Sequence, residues 1–543
     1  MICRTIICCS LLVVFGGPVL AGDLVLPTVA DPAYRVQALM PKTPANGFNG
    51  VAFDNQGNLY AGVVHSSTTY RIDKDTGAVS VFIPPPEGMA DDLLFLPDNT
   101  VVWNAFFLGK VLAMGADKKI VTLAEGLPGI NAIARSKDGR VFVSQCYMGD
   151  ALWELDLTGA KKNRKIAEGI GFLNAFAVHS DGYIYGPLEK KGQVAKIDVN
   201  TGAVQVVAEG FKVPRAAKFD SKGNLYVLDT ATGEMIQVDI KTGQKKLVAM
   251  IRPHLDNLAF DKDDRVFAST NGDSSIFEVD VKTGKVRTVV EGRLACPQGI
   301  AVWNGPEGEI VFVADNFSYK RIDGFTGEVK ENAKGGAFPN SANIKGDKVL
   351  MAGWFRNVVE VFDAKNDDLL YGVPGFKGAL GMLMLDDGSI LVAESGTNSI
   401  VRARDREGKQ KEVVAKDLAH PVYMAPAGPD AIYVTEFLGN RVTRIDLNTG
   451  KKKTVAEGVK GPKGIAVKPD GKIVVVAVGS KELLQIDPAS GTTKPLVKNL
   501  AVGLFAPGNN PDHTLTGVAV AASGNIYVTS DIENVVYKIS PKK

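Results

Sequence analysis

The chain has 543 residues, 45% hydrophobic and 22% charged, with 62 basic against 60 acidic side chains for a formal net charge of +2. A single core stops growing near roughly 250–300 residues, so this length calls for two domains. The composition excludes a disordered, coiled-coil or fibrous chain, and the near-zero charge recruits neither nucleic acid nor an anionic membrane.

Residues 1–21 read as a secretory signal: Arg4, an apolar run over 6–15, and Val19-Leu20-Ala21 ahead of Gly22. The run is shorter than the roughly 20 apolar residues of a membrane span, so no membrane insertion is expected. The expected location is periplasmic or secreted. Cys8 and Cys9 leave with the signal, and Cys146 and Cys296 remain, either paired or as two buried thiols.

From residue 49 onward one phrase recurs. It reads Asn49-Gly50-Val51-Ala52-Phe53, then Gln298-Gly299-Ile300-Ala301-Val302, Lys463-Gly464-Ile465-Ala466-Val467 and Thr516-Gly517-Val518-Ala519-Val520. The residues in register with Asn49 are Asp91, Asn131, Asn174, Arg215, Asp256, Gln298, Asn340, Leu380, Val422, Lys463 and Thr516. They stand 40–43 residues apart, except for a last interval of 53 that holds an insertion around 501–513. Each unit carries an Asp-Gly turn such as Asp138-Gly139, a β-rich strand such as Ile432-Tyr433-Val434-Thr435, and a Thr-Gly hairpin such as Thr201-Gly202. Four short strands in about 42 residues make one propeller blade. Twelve blades in one ring would leave an unfillable centre, so the expected fold is all-β, two six-bladed β-propellers. By sequence position they occupy 22–296 and 297–543. The last unit stops after its third strand, and 34–40 reads as the missing fourth. Sequential and interlocked lobes are both open at this point.

These phrases resemble the SMP-30/gluconolactonase-like superfamily and the related NHL-type propellers, over about residues 34–540. The resemblance implies a calcium- or zinc-dependent lactonase or esterase, a lyase opening a cyclic ester, or a propeller that only binds partners. It implies a metal at the mouth of the central channel, held by Asn-before-Gly and Asp-before-Gly positions. Asn49, Asn131 and Asn174 match the first type, and Asp91 and Asp256 the acidic type. The glutamate ligand of such proteins is not found at any register position.

The same place follows from geometry. First residues of innermost strands converge on the propeller axis, and in the first half all six are polar: Asn49, Asp91, Asn131, Asn174, Arg215 and Asp256. Such oxygens suit a hard divalent cation, Ca²⁺ before Zn²⁺ or Mg²⁺, able to polarise a carbonyl or activate water. Arg215 either pairs with Asp256 or holds a substrate carboxylate. His65 and His254 are the general-base candidates beside Asp256. Asp315, Glu394, Glu436, His420 and Lys463 form a rival, metal-free set in the second half. Trp103, Phe106, Phe107, Tyr147, Phe317, Trp354 and Phe355 occupy loop-proximal places that suit a small cyclic or aromatic substrate. No dinucleotide glycine signature appears, so no nucleotide or flavin is expected. The expected function is an exported metal-assisted hydrolase of a lactone or ester. The alternatives are a propeller lyase and a non-catalytic ligand- or protein-binding propeller. The oligomeric state is open.

Overall fold

The computed structural model describes residues 26–157, 162–306, 308–332, 338–353, 355–504, 512 and 514–542. The expected signal, Trp354, His513 and 505–511 of the insertion lie outside the described residues. Within them the chain forms twelve antiparallel sheets, eleven of four strands and one of five. Two single 3-10 turns, Phe106–Leu108 and Glu189–Lys191, interrupt the strands. We number the sheets 1–12 in chain order of their innermost strands. Those strands are Val51–Phe53, Leu93–Phe95, Ile130–Arg135, Ala177–Val178, Pro214–Phe219 and Leu255–Phe260, then Ile300–Gly305, Ser341–Lys345, Ala379–Met384, Pro421–Pro426, Pro462–Val467 and Val518–Val520.

The fold is two six-bladed propellers. Sheet 6 meets sheet 1, where Ser269 Oγ donates to the Asn49 carbonyl. Sheet 12 meets sheet 7, where the Gly517 N–H donates to the Gln298 carbonyl at 3.0 Å. In most blades the second strand is buried throughout, as in Leu225–Asp229 and Ile473–Ala477. It therefore reads as a mainly apolar run, often closed by a polar residue such as Asp229. Outer strands such as Val204–Glu209 are largely exposed and read as mixed. Blades pack face to face: Val474, Val476 and Leu483 of sheet 11 meet Val528, Tyr537 and Ile539 of sheet 12. Full burial of one such side chain contributes about 1.5–3 kcal/mol.

The Thr-Gly hairpins have a common cause. Asp239 Oδ1 accepts the Lys241 and Thr242 N–H groups at 2.8 and 3.0 Å. Gly243 then takes φ 74°, the left-handed region that glycine enters without cost.

The glycine of the recurring phrase answers a different need. Inner strands approach one another so closely that a Cβ built on Gly299 would stand 2.3 Å from Ser341 Cα. Gly299→Ala should therefore destabilise the second propeller by about 1–3 kcal/mol through overpacking. Gly115→Ala, whose Cβ meets nothing nearer than 3.6 Å, should not. Thermal unfolding of the two variants side by side checks this.

Tyr34–Ala38 pairs with the last strand, Val535–Pro541, from Tyr34 opposite Pro541 to Ala38 opposite Tyr537. The missing fourth strand is thus supplied by the N-terminal segment, as its pattern predicts. A further strand, Thr28–Val29, adds a fifth strand to sheet 11 against Lys498 and Val497. Two residues carry no periodicity to read. Residues 28–38, counted by sequence position with the first propeller, pair with the second. Cys146 and Cys296 are free thiols, both buried, and burial raises the pKa of each.

A candidate ligand site between the propellers

Asn49, Asp91, Asn131, Arg215 and Asp256 line one cavity at the mouth of the first channel. Each stands where its innermost strand begins, which is why the repeat brings them together. Asn174, the sixth register residue, sits just behind. Its amide donates to Glu189 Oε2 at 3.1 Å and lies 3.4 Å from the Tyr147 hydroxyl.

A charge network fills this ring. Arg215 lies between two acids, with Nε 3.1 Å from Glu189 Oε2 and Nη1 3.3 Å from Asp256 Oδ1. The Asn271 amide donates to Asp256 Oδ1 at 2.9 Å, and the Tyr147 hydroxyl to Glu189 Oε2 at 2.7 Å. Asp91 accepts from the Asn131 amide. One layer below, Asp92 accepts from Asn257 at 3.0 Å, with Lys218 Nζ 3.7 Å away. Burial pushes the Asp256 carboxyl up to about 6 in spite of Arg215, with Glu189 and Asp92 adding to the rise. Burial raises Asp91 well above the usual range, and the charges of Asp256 and Asp92 raise it further.

The sign of the pH effect follows. Each of these acids holds its proton more tightly folded than unfolded, where the ordinary value is 3.8. Unfolding therefore releases protons, and their contribution to stability falls as pH rises from about 4 through 6. Asp91→Asn keeps an acceptor for Asn131 and removes the buried charge. It should raise the melting temperature at pH 8 by roughly 2–4 °C, with the gain shrinking towards pH 4. Calorimetry at the two pH values checks this.

The expected calcium ligands are not arranged as a cage. Asn174 Oδ1 accepts the Ala175 N–H at 2.8 Å, and Asn49 Oδ1 accepts the Val64 N–H at 3.2 Å. Asn131 presents its amide nitrogen, not its oxygen, to Asp91. The cation among these acids is the Arg215 guanidinium. Among the described residues no three His, Cys, Asp or Glu side chains converge as metal ligands. In this arrangement the donor set does not fit a divalent ion, which needs several free oxygens.

The second propeller supplies the opposite wall. Asn316 and Phe317 follow the second strand of sheet 7, and Phe338 and Phe355 come from sheet 8 and its approach. The rings run in contact, tilted for Phe355 to Phe338 at 5.1 Å and Phe338 to Phe317 at 5.5 Å and edge-on for Phe317 to His65 at 5.4 Å. The line continues through Phe107 and Phe106 to Tyr147. A deep cavity of about 60 Å³ lies between this wall and the polar ring. An outer cavity of about 290 Å³ adjoins it, sharing Tyr147, Arg215, Asn271, Phe317 and Phe338. His254 lines the outer cavity beside Arg215. His65 lines the deep one, and Asn316 donates its amide to His65 Nε2. Tyr147, His254, Asn316 and Phe338 all have left-handed φ, between 55° and 70°. Such conformations persist where surrounding structure over-determines them, often around ligand sites.

The rival residues of the second propeller are occupied otherwise. Asp315 accepts the N–H groups of Ala295 and Cys296, Glu394 that of Lys377, and Glu436 that of Ala419. Each ties down the loop that leads into its own innermost strand. Over that channel mouth the Leu515 N–H donates to Gln298 Oε1 at 2.9 Å, and Lys463 donates to the Thr514 carbonyl. His420 pairs with Asp512 at 2.7 Å. The chain itself thus covers the second mouth.

Sequence reasoning misses Glu189, Asn271, Asn316 and Phe338. Glu189 opens the 3-10 turn after the second strand of sheet 4, and Asn271 follows the second strand of sheet 6. Both belong to loops that the register at the innermost strands does not index. Asn316 and Phe338 matter through the meeting of two propellers, which no repeat period encodes.

Residues 108–253 match a family described as a repeat of unknown function (DUF6923). No curated protein matches the chain. Among solved structures, a streptogramin B lyase is 14% identical over 61% of this chain and 93% of its own, with TM-score 0.27. The gluconolactonase XC5397 of Xanthomonas campestris is 17% identical over 48% and 96%, with TM-score 0.37. The extracellular domain of what is named a hybrid two component system (BT3049) from B. thetaiotaomicron is 10% identical over 94% and 83%, with TM-score 0.35. All three scores lie below 0.5, so the propeller assignment stands on the sheets and their order. Among the described residues no helix is long and apolar enough to cross a membrane.

Proposed function

We propose that the chain is an exported, SMP-30/gluconolactonase-like or NHL-type propeller protein that binds a small cyclic or aromatic molecule between its two lobes. One observation carries this reading: a polar ring and an aromatic wall face each other across connected cavities of about 60 and 290 Å³. Ligand pockets combine apolar walls with a few convergent polar groups in this way. The test is a thermal-shift panel of small cyclic and aromatic compounds on the full chain. Binders should raise the melting temperature, and Phe317→Ala should abolish the rise. A panel without binders, or binding that ignores Phe317→Ala, contradicts the reading.

Hydrolysis of a lactone or ester in the same chamber is the second reading, favoured by the Asp256 carboxyl at about 6. An acid in that range is ionised at neutral pH and basic enough to take a proton from water. Arg215 Nη1 would stand beside it to orient the carbonyl oxygen. The same base removing a proton next to the carbonyl would give the lyase version. Turnover of a lactone and ester panel, lost in Asp256→Asn, supports this reading. Turnover that chelation removes and Ca²⁺ restores supports the metal-assisted form. Inert protein leaves binding alone.

A further inference from the structure

We propose that the chamber takes an organic cation: a protonated amine head held by Asp91 and Asp256, on an aromatic body lying against Phe317 and Phe338. This rests on the binding reading above and names its ligand class.

The charge count points there first. Asp91, Asp256 and Glu189 face the single guanidinium of Arg215, which is divided between Glu189 and Asp256. Lys218 serves Asp92 and the Phe176 carbonyl in the layer below. Among the described residues the side chain of Asp91 has only a neutral amide, that of Asn131, as its hydrogen-bond donor. A buried carboxylate without a cation is costly, and a bound cation would remove the cost.

An independent observation comes from the other lobe. Asn340 lines the deep cavity, is 1% exposed, and gives its amide to Gln298 Oε1 at 3.0 Å. Its Oδ1 is buried and accepts no hydrogen bond from the described residues. Buried acceptors are nearly always satisfied, so this one calls for a donor from a ligand. An ammonium N–H is such a donor.

The wall adds the third element. Ring faces carry negative charge density and attract cations, whereas an anion would meet three carboxylates and aromatic faces. The sizes agree as well. The deep cavity of about 60 Å³ suits a small ionic head, and the outer 290 Å³ suits a ring-sized body.

The test is calorimetric titration of the full chain at neutral pH with three probes of one shape: phenethylamine, 2-phenylethanol and phenylacetate. Phenethylamine should bind at least tenfold more tightly than 2-phenylethanol, and phenylacetate should not bind. Asp91→Asn should weaken phenethylamine at least tenfold and leave 2-phenylethanol within twofold. Phe317→Ala should weaken both. If phenylacetate or 2-phenylethanol binds as tightly as phenethylamine, the cation assignment is overturned while the small-molecule site stands. Phenethylamine binding unchanged in Asp91→Asn also overturns it. If none of the three binds, both fall. The wild-type comparison decides the matter even if a variant fails to fold.

Discussion

A chain that begins at Pro41 is expected to lose the second propeller's closure. Tyr34–Ala38 covers the edge of Val535–Pro541 through five paired positions, and Tyr34 and Val36 pack on the core between sheets 11 and 12. Burial of two such side chains, with ladder hydrogen bonds of about 1 kcal/mol each, makes a gross contribution of roughly 5 kcal/mol or more. Truncation leaves an open strand edge, which invites pairing between molecules. Differential calorimetry should show a second-propeller transition lowered by many degrees and prone to aggregation. A peptide of residues 26–42 added in trans should raise it again. An unchanged transition in the truncated chain would contradict the pairing.

Arg215→Met carries the other large effect. It removes the cation between Glu189 and Asp256 and leaves largely buried carboxylates facing one another. Breaking such a pair from one side costs about 3 kcal/mol. The cost has a direction in pH. Without the guanidinium Asp256 holds its proton still more tightly when folded, so unfolding releases more of it and stability falls more steeply with rising pH. Urea unfolding should therefore show a larger loss at pH 8 than at pH 5, with Arg215→Lys recovering part of it. An equal loss at both values would mean that the side chain acts through packing and not through charge.

The architecture is legible in the sequence because each blade repeats one set of local demands. Gly299 and its equivalents mark close approach of inner strands, and Asp239 with Gly243 marks a hairpin. Both recur at a fixed period, so the blades can be counted and the unpaired last strand noticed. The polar ring is legible for the same reason, since Asn49, Asp91, Asn131, Arg215 and Asp256 occupy equivalent positions. What those residues do to one another is not. The Asn174 oxygen turns to its own neighbour's N–H, and Glu189 enters from a loop outside the register to share Arg215. A composition that reads as a calcium site becomes a network of acids around a guanidinium. The aromatic residues Phe106, Phe107, Tyr147, Phe317 and Phe355 are legible as loop-proximal, but their assembly into one wall opposite the polar ring is not. Phe317 and Phe338 reach the first propeller's mouth only because the two lobes meet there.

Crystals of the full chain soaked with a library of small aromatic fragments would locate the ligand site. Fragments should collect between Phe317, Phe338 and Asp256, and leave the first mouth in Phe317→Ala crystals. The second propeller offers a competing place, the lower end of its channel, with a volume of about 460 Å³ lined by Val302, Leu383, Met424 and Val520. Fragments bound there, with the chamber between the lobes empty, would contradict the account.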